Sequence, residues 1–154
     1  MYDDFWSALA KNDIRAVRRL IKKGADIEST DEFGRTPLCY AIVDRRYDMA
    51  TLLISSGANV NHADSGNWIP LHFAAQNSDE PMIRLLLDSD SQVDVKNNHG
   101  NIPLQIAVFN YRGDPKIVQD LIAAGADRHH ANIHGVSPVG LAETMGVDIA
   151  WEQE

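Results

Sequence analysis

Prolines stand at positions 37, 70, 103 and 138, with gaps of 33, 33 and 35 residues. Gly24, Gly57, Asp90 and Gly125 recur with the same three gaps. Two independent markers in one register identify a tandem repeat, which constrains a chain more than any local propensity. A helix pair of this length cannot bury its apolar side alone. It becomes stable by stacking on copies of itself, so the chain must form an elongated stack.

Aligned on the prolines, the units read Thr36-Pro-Leu-Cys-Tyr-Ala, Ile69-Pro-Leu-His-Phe-Ala, Ile102-Pro-Leu-Gln-Ile-Ala and Ser137-Pro-Val-Gly-Leu-Ala. Proline suits the first turn of a helix, where no backbone N–H is needed, and Thr36 and Ser137 are predicted to cap that turn. Ile69 and Ile102 replace a capping residue, so those two helices are expected to lack a side-chain acceptor. Apolar residues follow at helical spacing, as in Leu38, Ala41 and Ile42, or Leu71, Ala74 and Ala75. A second helix follows in each unit, carrying Met49, Leu52 and Leu53, then Met82, Leu85 and Leu86, then Ile117, Val118 and Leu121. Gly24, Gly57 and Gly125 come where a left-handed cap is needed, and Asp90 is expected to adopt that conformation at some cost. The stretches 31–35, 64–68, 97–101 and 132–136 are turn-rich and are expected to protrude as hairpins, the second with its turn shifted to Gly66-Asn67.

The proline blocks, together with Gly57-Ala-Asn-Val-Asn and its counterparts, closely resemble the ankyrin repeat family over nearly the whole chain. The resemblance implies an all-α repeat solenoid of helix-turn-helix pairs linked by β-hairpin turns, with about four and a half repeats. Residues 1–154 are expected to form a single domain: a capping helix pair at 3–30, full repeats at 31–63, 64–96 and 97–131, and a truncated cap at 132–154. Cys39 and Gln105 stand where the family pattern has His, and only His72 keeps it. The fourth segment carries two extra residues between its helices, in Phe109–Pro115. The family binds partners with hairpin tips and the exposed face of its inner helices. Carried onto this chain, the tips are Glu32, Phe33 and Arg35; Ser65, Gly66 and Trp68; Asn98, His99 and Asn101; and Ile133, His134 and Val136. The groove positions are Tyr40, Val43 and Asp44; Phe73, Gln76 and Asn77; and Ile106, Phe109 and Asn110. Phe33 and Trp68 stand out, because a turn does not need large aromatics, with packing onto their own hairpins as the alternative. Tyr40 and Phe73 divide between groove and core. Tyr111 and Arg112 in the insert are a further candidate contact.

Charge narrows the partner. Lys and Arg number 14 against 22 Asp and Glu, a formal net charge of −8. Residues 1–30 carry +1 and residues 31–154 carry −9. That balance argues against nucleic acid and favours a protein with a basic surface. The helix around Ile14, Val17, Leu20 and Ile21 sets Arg15, Arg18, Arg19, Lys22 and Lys23 on its other side, read as a solvated capping face with a basic docking patch as the alternative. The acidic N-terminus shows no signal peptide and no apolar run is long enough to span a membrane, so no membrane partner and a cytoplasmic setting are expected. Cys39 is the only cysteine, which excludes an intrachain disulfide and a Cys-based zinc site; by register it is inward-facing and inert. Phosphate-binding glycine motifs and a nucleophile elbow are absent, so no enzyme is expected. His129, His130 and His134 are the one potential metal cluster, but they fall on a hairpin and share no helix face; no metal, cofactor or small-molecule substrate is expected. The sequence therefore reads as a non-catalytic protein-interaction module. The favoured form is an immunity or antitoxin-type inhibitor of one specific toxin or enzyme. An adaptor or regulator, resembling kinase inhibitors or host-directed effectors, is the alternative, and a His-based metal protein the distant one.

Overall fold

The computed structural model describes residues 2–151 as a succession of helices: α1 (Tyr2–Ala10), α2 (Ile14–Lys22), α3 (Pro37–Val43), α4 (Tyr47–Ser55), α5 (Pro70–Gln76), α6 (Glu80–Leu87), α7 (Pro103–Phe109), α8 (Lys116–Ala123) and α9 (Pro138–Met145). Met1 and residues 152–154, which the expected domain includes, lie outside the described residues. Each repeating proline sits in the first turn of its helix. Thr36 and Ser137 cap as expected: Thr36 Oγ1 accepts from the Cys39 N–H at 3.5 Å and Ser137 Oγ from the Gly140 N–H at 3.1 Å. Ile69 and Ile102 provide no acceptor, and a reverse bond from inside the helix compensates. His72 Nδ1 accepts from the Ile69 N–H and Gln105 Oε1 from the Ile102 N–H, both at 3.2 Å. This is the half of a capping box that the third helical residue supplies. It frees the cap side chain to be apolar, and both isoleucines are buried.

The inner helices stack in the order α1, α3, α5, α7, α9, and the outer helices in the order α2, α4, α6, α8. Between the layers lies a continuous core in which Leu38, Leu71 and Leu104 of the inner helices meet Met49, Leu53, Met82, Leu86 and Leu121 of the outer ones, all fully buried. Polar stitches fix the spacing between units. Glu28 accepts from the Asn59 N–H at 2.8 Å, Asn61 Oδ1 from the Gln92 N–H at 2.8 Å and Asp94 Oδ1 from the Asp127 N–H at 3.0 Å.

Two details correct the sequence reading. The expected β-hairpins are tight turns, and no strand forms among the described residues. The second turn is not shifted: Asn67 takes the left-handed conformation (φ 57°) in register with Gly34, Gly100 and Gly135. Asn tolerates that region because its short polar side chain bonds locally. Asp90 adopts the left-handed conformation as expected, at φ 63°.

Candidate functional site

An Asp or Asn at the head of each turn builds the tips. Asp31 Oδ1 accepts from the N–H groups of Phe33 (2.9 Å) and Arg35 (2.8 Å). Asp64, Asn97 and Asn132 do the same for the residues two and four positions on. These Asx turns hold each tip in one shape. Neighbouring tips are then joined by single backbone bonds: the Ser65 N–H to the Phe33 carbonyl (2.9 Å), Asn98 to Gly66 (3.0 Å) and Ile133 to His99 (3.2 Å). The tip backbones therefore form a rigid edge from which side chains project.

Along that edge the concave face holds two adjoining depressions. The first, about 290 Å³, is lined by Phe33, Arg35, Asp64, Ser65, Gly66, Trp68, Phe73 and Gln76. Arg35 is its centre: its guanidinium lies 5.5 Å from the Phe33 ring and 5.2 Å from the Phe73 ring, and Nε is 3.4 Å from Asp64 Oδ2. The second, about 430 Å³, is lined by Trp68, Gln76, Asn101, Gln105, Ile106, Phe109, Asn110, Asn132, His134, Val136 and Leu141. None of these is Asp, Glu, Lys or Arg. Trp68 and Gln76 line both depressions and form the wall between them.

The structure thus brings together Phe33, Arg35, Ser65, Trp68, Phe73 and Gln76 on one side, and Asn101, Phe109, Asn110 and His134 on the other. The aromatics divide. Phe33 is 52% and Phe109 63% exposed, whereas Phe73 is 6% exposed and forms a floor. Trp68 is half-buried, with its ring centroid 5.1 Å from that of Phe73 and 5.4 Å from that of His72, so it packs on its own repeat and still presents one side to the groove. Tyr40 is engaged in structure: its hydroxyl donates to Asp31 Oδ2 at 2.9 Å and its ring meets Trp6 edge-on at 5.2 Å. Burial alone would raise the Asp31 carboxyl, but bonds from the Arg35 N–H, the Tyr40 hydroxyl and the Phe33 N–H outweigh it and hold it below the usual range. The same hydroxyl bond, with burial, pushes Tyr40 up. Asp44 pairs with Arg46 at 2.8 Å, and Asn77 Nδ2 donates to the Ile42 and Val43 carbonyls, so both close helix ends outside the depressions. Glu32 and His99 project from the tips. Tyr111 and Arg112 line a further cleft of about 140 Å³ with Ser78, Glu80, Asp114 and Lys116, where the insert lengthens the link between α7 and α8; it adjoins the larger depression at Asn110, which lines both.

Gln105, Asn132 and Leu141 join the groove beyond the residues expected there. The repeat register contains the signal for each. Leu141 is the terminal repeat's equivalent of Tyr40, Phe73 and Ile106, Asn132 heads the fourth turn, and Gln105 stands where His72 stands.

The remaining titratable groups are structural in placement. Burial raises the Cys39 thiol. His72 is fully buried; Nδ1 accepts from Ile69 and Nε2 bonds the Asn101 carbonyl of the next turn at 3.0 Å, which fixes the neutral tautomer with its proton on Nε2. His130 Nε2 bonds the Gly100 carbonyl at 3.0 Å, while His129 and His134 are exposed. No three His, Cys, Asp or Glu residues among the described residues converge to hold a metal ion.

Comparison with known families agrees with this architecture. A model of ankyrin repeats in many copies matches residues 5–42 and 38–87, and the single ankyrin repeat model matches residues 99–133. The chain belongs to the ankyrin repeat family. No curated protein matches it. Ankyrin repeats mediate protein–protein binding, so this ankyrin protein is a protein-interaction module. No helix among its described residues is long and apolar enough to cross a membrane.

Proposed function

We propose that this ankyrin protein is a non-catalytic inhibitor of the immunity or antitoxin type, acting in the cytoplasm. Residues 1–154 form one repeat domain that occupies a single toxin or enzyme through the two concave depressions. The observation that carries this reading is the continuous surface from Phe33 across Trp68 and Gln76 to Phe109, with two large aromatics exposed on an otherwise amide-rich face. Aromatic anchors supply contact area at low entropic cost, and amides supply adaptable hydrogen bonds. The larger depression is lined by no Asp, Glu, Lys or Arg, so short-range recognition there is apolar and amide-based. The net charge of −9 over residues 31–154 acts at longer range and supports a basic partner, through approach rate rather than final contacts.

The test is capture of partners from lysate of the source cell by wild type beside Phe33→Ala/Phe109→Ala, followed by an activity assay on the retained protein. One dominant partner, lost by at least about tenfold in affinity in the double variant and inhibited by wild type, supports the reading. Capture of one partner unchanged by the double variant refutes the concave site. A partner that is bound but left fully active refutes inhibition. The cleft at Tyr111 and Arg112, which shares only Asn110 with the larger depression, favours an adaptor as the second reading, in which two partners bind at once.

A further inference from the structure

The α1–α2 cap carries the opposite charge to the rest of the molecule. Residues 11–23 hold Lys11, Arg15, Arg18, Arg19, Lys22 and Lys23 against Asp13 alone, a local net charge of +5, which leaves −13 for the remainder of a chain at −8. All six cations are exposed, and none forms an ion pair with another described side chain. The helical spacing of Arg15, Arg18, Arg19 and Lys22 gathers them on the side of α2 away from Val17, which is buried. Beside them, α1 and α2 enclose a cleft of about 390 Å³. Ala8, Ala16 and Leu20 contribute its apolar lining, and Lys11, Arg19 and Lys23 also line it.

We propose that this cap is a second docking site, which takes a short acidic amphipathic helix of a protein partner. An acidic face meets the cations, and an apolar face meets Ala16 and Leu20, which are only partly buried. The charge distribution decides against extended polyanions. A nucleic acid duplex or an anionic membrane carries its charge past the cap and meets the −13 of the other repeats, whereas a helix of a few turns can concentrate its acidic residues over the cap cations and leave the rest of its length uncharged. The site is independent of the concave surface, so it stands or falls separately from the inhibitor reading.

The probe is a fluorescent peptide of roughly 18 residues, long enough to hold a helix, with Glu on one face and Leu on the other. Anisotropy is followed as the full chain is added, with a scrambled peptide, a DNA duplex and phosphatidylserine vesicles as comparators. Saturable binding is expected, weakening about tenfold or more in Arg15→Glu/Arg19→Glu/Lys23→Glu and at high salt, and unchanged in Phe33→Ala/Phe109→Ala. Far-UV circular dichroism checks the fold, and Arg15→Gln/Arg19→Gln/Lys23→Gln serves if the reversal variant does not fold. No saturable binding, equal binding by the charge variants, equal binding of the scrambled peptide, or tighter binding of duplex or vesicles each overturns the proposal.

Discussion

Lowering the pH should loosen the solenoid at one identifiable joint. His72 is fully buried, and both its ring nitrogens are committed: Nδ1 to the Ile69 N–H at 3.2 Å and Nε2 to the Asn101 carbonyl at 3.0 Å. A proton on Nδ1 destroys the first bond and places a charge in the core. Burial accordingly lowers His72 from 6.5 to about 4, against weaker opposing effects from the Asn101 carbonyl and the Asp64 carboxylate. Between those values the unfolded chain binds a proton that the native chain refuses. The stabilisation is therefore complete above pH 6.5 and is lost progressively as pH falls towards 4. The full difference is roughly 3 kcal/mol, of which about 2 kcal/mol is gone by pH 5. Gln105 provides the control, because its amide makes the equivalent two bonds one repeat on, to the Ile102 N–H and the Val136 carbonyl, and does not titrate. His72→Gln should thus keep the fold and flatten the pH dependence. Urea unfolding followed by far-UV circular dichroism from pH 5 to pH 7.5, for both proteins, measures the difference. Parallel stability curves for wild type and His72→Gln would refute the assignment of this joint to His72.

Three further outcomes follow from the backbone and caps. Gly100→Ala should destabilise by roughly 1–3 kcal/mol in thermal or urea unfolding, since at φ 72° an added Cβ meets the Ile133 nitrogen at 2.9 Å, at the junction of the third and fourth turns. Asp90→Gly should stabilise by about 0.5–1 kcal/mol in the same assay by relieving a left-handed residue at φ 63°. Ile102→Thr restores the family's capping residue yet should destabilise by about 1 kcal/mol; Ile102 is fully buried, and removing its apolar bulk from the core costs more than the new cap bond returns, so higher stability on unfolding would contradict this balance.

The candidate site was legible wherever it follows the register, and less so wherever neighbouring repeats meet. Phe33 and Phe109 project as their positions imply, because no adjacent element covers them. Phe73 occupies a different groove position, in register with Tyr40 and Ile106, and is covered by Trp68 and Arg35, which arrive from two different turns. Trp68 is drawn inward by the same packing. Asn77 carries an amide suited to recognition and commits it to the carbonyls that end α3, a pairing across more than 30 residues that spacing alone does not reveal.

Period, helix starts, turn positions and core lining were written in the sequence, because each is a local consequence of proline, glycine, Asx and apolar spacing repeated in one register. Tertiary structure alone decided how the departures from that register were absorbed. Asn67 could keep the second turn in place because Asp64 Oδ1 bonds the flanking N–H groups of Gly66 and Trp68. Ile69 and Ile102 could replace capping residues because His72 and Gln105 complete the helix starts while bridging to the next repeat. The division of the concave face into two depressions likewise depends on side chains from different repeats reaching the same place, whereas the positive charge at one end of the acidic solenoid was legible in the single stretch 11–23. A linear register orders those repeats, but only their stacking brings them within reach of one another.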